Sequence, residues 1–165
     1  MAKRELERTV QPSLIDRLTD EDPRTSLDSR TTYAESLRRF KAAMQRDLEW
    51  LLNTRRIAET PPEEFEEVHK SVYMFGVPDI TSMSRDSLPA RRRLLHYVEE
   101  ALVQFEPRLT HLRVSLVEMD AEEKRRELRF VVEATLRLDP TPEQVMFDTV
   151  LQFSSGQYAI GADNA

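Results

Sequence analysis

Residues 101–116 read ALVQFEPRLTHLRVSL, and the fold turns on them. Ahead of Pro107 the apolar residues keep helical spacing, with Leu94, Leu95, Val98, Ala101, Leu102 and Phe105 on one side of a helix that starts near Ser87. Beyond Arg108 the spacing drops to two, and Leu112, Val114 and Leu116 alternate with Arg113 and Ser115. Proline has no N–H and a fixed φ, so Pro107 ends the helix and marks the change of period.

Downstream the period of two continues. Leu128, Phe130, Val132, Ala134, Leu136 and Leu138 form one alternating set, and Val145, Phe147, Thr149, Leu151 and Phe153 form another. Asp120 to Arg126 reads as a charged hairpin loop, and Asp139-Pro140-Thr141-Pro142 as a proline turn. Ser154-Ser155-Gly156 turns the chain tightly into a last strand, Gln157 to Ile160. Upstream, Thr32 and Glu35 have capping-box spacing, and Leu37, Phe40, Met44, Leu48 and Leu51 follow at helical spacing up to Asn53. Glu35, Arg38, Arg39, Gln45, Arg46 and Glu49 occupy the opposite, solvent-facing side. A shorter helix fits Glu63 to Phe75, with Gly76 just past its end. Helices followed by a strand meander predict an α+β domain, with N-terminal helices packed on one face of a three- to four-stranded, mainly antiparallel sheet.

Composition narrows the chemistry. The chain has 165 residues, a net charge of −6, no cysteine and only three glycines. Without cysteine there is no disulfide scaffold, thiol nucleophile or thiolate metal site. Three scattered glycines cannot build a phosphate-binding loop. The acidic balance provides no global field for nucleic acid. The start lacks the apolar run of a signal peptide, and no stretch is long and apolar enough to span a bilayer, so a soluble protein of a reducing compartment is expected.

The first thirty residues differ from the rest in being highly charged, with one short apolar cluster: Leu14, Ile15 and Leu18 on one side of a single turn that Ser13 can cap. One turn does not persist alone in water. Residues 1–30 are therefore read either as a flexible terminus or as an arm that orders on a partner, ahead of a single domain over 31–162.

The candidate sites are few. Glu106 is the most interesting carboxylate, because Pro107 holds it at the helix end beside Arg108. A glycosidase needs two carboxyl groups, one of them kept protonated. Arg108 favours the charged form of Glu106, and no motif marks a second carboxylate. A Glu106/Arg108 pair that braces the corner or meets another subunit suits the residues better than an acid catalyst. His69, His96 and His111 form no ligand motif, so neither metal nor cofactor is expected. Arg91-Arg92-Arg93 opens a helix against its dipole, which helix stability does not explain. Asn53, Arg55 and Arg56 form a polar loop suited to an interface, and Trp50 at the stripe's edge suits an interface anchor.

Four segments occur here in a characteristic order: PSLIDRLTDEDP (12–23), DLEWLLNTRR (47–56), YMFGVPD (73–79) and ALVQFEPRL (101–109), followed by three strands. From Ser13 to Ile160 the chain resembles the TssE family of type VI secretion baseplate subunits, relatives of the baseplate wedge protein of contractile-tailed phages. LLNTR followed at this distance by FEPRL is the most specific combination. Phe75 stands where the family often has tyrosine.

The resemblance implies a structural part rather than an enzyme, despite the family's historical lysozyme label. Glu106, Pro107 and Arg108 match the family's Glu-Pro-Arg motif, which it implies serves assembly. It further implies that the arm at Leu14, Ile15 and Leu18 contacts the wedge subunits TssF and TssG, with TssK a further candidate, at a baseplate on the cytoplasmic side of the inner membrane. The sheet resembles the strand-exchanging domain of the sheath, which implies strand addition with TssB and TssC. An open edge offers unpaired N–H and C=O groups for this. Thr149 to Ala162 carries no charge, and a partner chain is expected to cover it. The remaining alternatives are a peptidoglycan-cleaving glycosidase using Glu106 and a generic helical adaptor.

Overall fold

A computed structural model describes residues 9–19, 24, 31–79, 87–120, 122–139 and 141–161. The start of the charged N-terminal stretch, Pro140 of the proline turn and Ala162 lie outside the described residues. The elements run α1 (Leu14–Leu18), α2 (Tyr33–Asn53), α3 (Glu66–His69), a 3₁₀ turn (Val72–Met74), α4 (Leu88–Phe105), β1 (Leu109–Leu116), α5 (Glu123–Arg126), β2 (Glu127–Leu136), β3 (Glu143–Gln152) and β4 (Gln157–Ile160). The four strands form an antiparallel meander in the order β1-β2-β3-β4. This is the α+β arrangement that the periods imply.

The caps explain where the long helices begin. Thr32 accepts the Glu35 N–H at the start of α2, and Ser87 accepts the Ala90 N–H at the start of α4, where proline occupies the first turn. These bonds satisfy donors that the first helical turn leaves free. The apolar stripe of α2 buries Phe40, Met44, Leu48, Leu51 and Leu52, and that of α4 buries Leu94, Leu95, Val98, Ala101 and Leu102. They meet the inward residues of β2 and β3, among them Phe130, Val132, Phe147 and Leu151, in one core. Val10 joins that core and donates its N–H to Ser36 Oγ (3.0 Å).

Three local readings are corrected. The single helix expected over Glu63 to Phe75 is two pieces, α3 and the 3₁₀ turn. Ser71 separates them: its hydroxyl donates to the Val68 carbonyl at 2.8 Å and accepts the Tyr73 N–H at 3.2 Å. The charged hairpin loop contains α5. Asp120 accepts the Glu123 N–H at 2.8 Å while Glu123 accepts the Asp120 N–H at 3.4 Å, a reciprocal pair of bonds at Asp-x-x-Glu spacing that leads the chain into α5. The first strand starts at Leu109 rather than Leu112. Leu109 and Leu112 lie three apart yet both belong to the core side, so the pairing with β2 shifts between Thr110 and Arg113, and His111 takes a left-handed φ of 52°.

The third strand set and the last strand follow expectation, but the cover on β4 does not come from a partner. The N–H and C=O of Tyr158 and Ile160 point away from β3 and meet side chains of α2. Asn53 bonds both Tyr158 groups (2.8 and 2.9 Å), Glu49 accepts the Ile160 N–H (3.0 Å), and Gln45 donates to the Ile160 carbonyl (2.5 Å). Gln45 and Glu49, read as solvent-facing, thus act as strand substitutes. The geometry permits it because four helical residues advance about 6 Å while two strand residues advance about 6.7 Å. Asn53→Ala leaves both Tyr158 groups without partners and is expected to cost about 1–3 kcal/mol. Denaturant unfolding measures that loss, and faster exchange of the Tyr158 amide places it.

Candidate functional site

The corner between α4 and β1 holds a chain of alternating charges. Glu106 is only 5% exposed. Arg108 grips both its oxygens, Nε to Oε1 and NH2 to Oε2, each at 2.5 Å. The same guanidinium reaches Asp47 on α2 at 2.7 Å and lies 5.8 Å from the centre of the Phe40 ring. Asp47 in turn meets Arg46 (3.0 Å), and Arg46 meets Asp16 of α1 (2.7 Å). The Glu106 carboxylate, and then Asp47, raise the Arg108 pKa above the usual arginine value against the opposing effect of burial. Ser13 and then Arg46 hold Asp16 below the usual carboxylate range, opposed by partial burial. Five charges thus link the N-terminal helix to the buried corner.

That link orients α1. Ser13 caps it, with Oγ accepting the Asp16 N–H. Asp16 faces α2, while Leu14, Ile15 and Leu18 are 68%, 73% and 77% exposed. Trp50, one turn beyond Arg46, lies 5.5 Å under its guanidinium and is mostly exposed.

The Asn53-to-Arg56 segment is built differently. Asn53 is committed to β4. Arg55 forms a parallel bridge with Val77, and Thr54 and Arg56 exchange backbone hydrogen bonds with Val77 (3.0 and 2.9 Å). Arg55 pairs with Asp79 at 2.5 Å, and Arg56 stacks over Tyr97 at 6.0 Å. Gly76, with a φ of 104°, allows the close approach, since a Cβ there would sit 2.2 Å from the Thr54 carbonyl oxygen. An open groove of about 290 Å³ adjoins, lined by Thr54, Arg55, Ile57, Val72, Tyr73 and Phe75.

The structure therefore places Glu106 and Arg108 in one cluster against α2 and Arg55 and Arg56 in another just past its end, beside Val77 and Tyr97, with Pro107 exposed at the corner. Sequence reasoning missed Asp47, Arg46 and Asp16 as members of the first cluster. Asp47 and Arg108 are 61 residues apart, so no spacing announces their bond. The model of the baseplate wedge protein gp25 family matches residues 38–141, from the second turn of α2 to the turn between β2 and β3. The chain belongs to the baseplate wedge protein gp25 family. This family membership covers the Asn53-to-Arg56 segment, the charged corner and the first hairpin, and leaves α1, β3 and β4 outside the matched span. As a gp25-family wedge protein it is a phage-tail-like baseplate structural protein that interacts with other baseplate proteins. Compared with curated proteins and with solved structures, the chain matches none. Among the described residues no helix is long and apolar enough to cross a membrane.

Proposed function

We propose that this wedge protein works in a type VI secretion baseplate, where it links wedge subunits and starts sheath assembly, and that it is not an enzyme. The observation that carries the reading is the apolar side of α1, exposed at Leu14, Ile15 and Leu18 while Asp16 is tied to the corner through Arg46. Such a face gains by burial against a partner, about 1.5–3 kcal/mol for each side chain fully covered. Residues 1–30 serve as the docking arm for TssF and TssG, and 31–162 form the wedge domain. Asn53, Arg55, Arg56, Glu106, Pro107 and Arg108 shape the neighbouring contact surface, with TssK as a further neighbour. TssB and TssC of the sheath join by strand addition, and the assembly sits on the cytoplasmic side of the inner membrane.

A general acid must present a carboxyl oxygen to the leaving group. Both Glu106 oxygens are engaged by Arg108 in a nearly closed setting, which supports bracing and speaks against a glycosidase.

Co-purification with TssF and TssG tests the proposal. Changing Leu14, Ile15 and Leu18 together to aspartate is expected to weaken that binding by at least about 100-fold. The melting temperature should barely move, because the three side chains lie in solvent. Undiminished binding by this variant would sink the docking arm. Peptidoglycan cleavage by the wild-type chain that is lost in Glu106→Gln would overturn the non-enzymatic reading.

A further inference from the structure

The groove beside Arg55 is apolar and open. Val72 on its wall is 87% exposed and Ile57 about half exposed. The rest of the fold fixes its shape: Phe75 packs edge-on against Phe105 of α4 (5.3 Å), and Val77 bonds Thr54 and Arg56 through backbone groups. Its rim is basic. Arg55 meets Asp79 in a pair that is half in solvent and open to exchange. Arg56 lies over Tyr97, and Arg93 is exposed one helical turn ahead of Tyr97. Among the described residues neither Arg56 nor Arg93 has a carboxylate partner. Arg93 belongs to the arginine run that opens α4 against its dipole, a placement that an anion from outside explains.

The complement stands next to it. Ile57 and Val72 both line the groove, and the chain between them carries Glu63-Glu64-Phe65-Glu66-Glu67, all exposed. The Phe65 carbonyl accepts the Val68 and His69 N–H groups (3.0 and 3.2 Å), so ordered backbone presents this aromatic side chain half to water. Ser71 bonds both α3 and the 3₁₀ turn that carries Val72, which joins the ridge to the groove as one body. Glu67 pairs with Lys70 at 3.2 Å, whereas among the described residues Glu63, Glu64 and Glu66 have no basic partner. Adjoining stretches thus form an apolar–basic groove and an apolar–acidic ridge, each with the charge that the other lacks.

We propose that the groove takes the Glu63–Glu67 ridge of a second copy of this chain, in a two-fold symmetric dimer. Phe65 of each copy enters the other's groove beside Ile57 and Val72, and Glu64 and Glu66 face Arg56 and Arg93 of the other copy. Because ridge and groove adjoin, one two-fold axis makes both contacts at once, and the assembly closes at two. A polynucleotide brings no apolar group for Ile57 and Val72, and the glutamates repel it. The inference names a partner for the Arg55–Arg56 contact surface assigned above and rests on that part of the reading, not on the docking arm or the sheath. It engages fewer residues than a standard interface, so the expected Kd is roughly 10–100 µM.

Sedimentation equilibrium of the full chain between about 5 µM and about 1 mM should show monomer and dimer and nothing larger. Phe65→Ala removes an exposed ring and should leave the melting temperature within about 2 °C. It should weaken the dimer at least about tenfold, since each change acts twice across a two-fold axis. Arg56→Glu with Arg93→Glu, and Glu64→Arg with Glu66→Arg, should each weaken self-association at least about 100-fold. Mixing these two variants should restore it as a heterodimer, because both contacts become complementary again. Should the charge-reversed chains fail to fold, Phe65→Ala alone decides. The variant with aspartate at Leu14, Ile15 and Leu18 should dimerise as wild type does. A monomer at about 1 mM, an open-ended series, indifference to Phe65→Ala, no rescue on mixing folded variants, or a dimer lost with the arm would each overturn the proposal. Wedge binding that Phe65→Ala abolishes in a chain that stays monomeric would place another protein in the groove. That result overturns the dimer while leaving Arg55 and Arg56 as contact residues.

Discussion

Arg108→Ala is expected to lower the melting temperature by roughly 6–20 °C, a loss of about 3–5 kcal/mol at about 2–4 °C per kcal/mol for a chain of this size. The substitution takes both guanidinium bonds from Glu106, a carboxylate only 5% exposed, and leaves it the long 3.4 Å bond from the backbone N–H of residue 108. It also removes the bond to Asp47, the step that joins the Arg46–Asp16 pair to the corner. The cost comes from the uncompensated buried charge rather than from the net worth of the pair. A double change, Glu106→Leu with Arg108→Leu, is therefore expected to recover most of the stability by removing both charges together. Calorimetric or denaturant unfolding of the single and double variants checks this. If the alanine variant melts within about 2 °C of wild type, the corner is not a brace. The arm offers a second readout, since α1 should lose amide protection before the global transition in the alanine variant.

Gly76→Ala is expected to cost about 2–6 kcal/mol, combining backbone strain of about 1–3 kcal/mol with overpacking of similar size. The added Cβ would lie 2.2 Å from the Thr54 oxygen and 2.8 Å from its carbonyl carbon, and φ of 104° is disfavoured for any side chain. Neither obstacle is the end of a flexible side chain, so relief must come from moving the backbone. That movement breaks the Val77 bonds to Thr54 and Arg56 and carries Arg55 away from Asp79. Loss of protection at the Val77 and Arg56 amides should accompany the drop in stability. Gly161→Ala is the control. Its nearest atom, the Asp148 oxygen, lies at an ordinary 3.5 Å, and the change should stay within about 0.5 kcal/mol of wild type. An equal loss at both glycines would show that the tight approach at Gly76 is not what matters.

The helices and strands were legible because their signals are local. Thr32 and Ser87 announce α2 and α4, and a period of two announces β2 and β3 with few interruptions. Two missed features also carried local signals. The Asp-x-x-Glu spacing at Asp120 and Glu123 foretells α5, and the step of three from Leu109 to Leu112 foretells the shifted pairing in β1. The split between α3 and the 3₁₀ turn hangs on one serine hydroxyl, and serine also occurs inside helices, as Ser36 does in α2.

Glu106 and Arg108 could be paired on paper because they lie two residues apart, and their bond is what the structure contains. Asp47 could not be added to them, nor could Asn53 be joined to Tyr158 across 105 residues. The same α2 polar face supplies Gln45 and Glu49 to β4 and Arg38 and Arg39 to solvent. Periodicity sorts residues by polarity alone, so it reads these two groups as one surface.

By itself the sequence determined the order of helices and strands, the place where one period gives way to the other, and the Glu-Pro-Arg corner between them. The tertiary structure alone decided which edge of the sheet is closed. That outcome depends on the position of α2 along β4, where side chains one helical turn apart meet every second strand residue. Such a match is set by packing between distant segments and leaves no trace in local spacing.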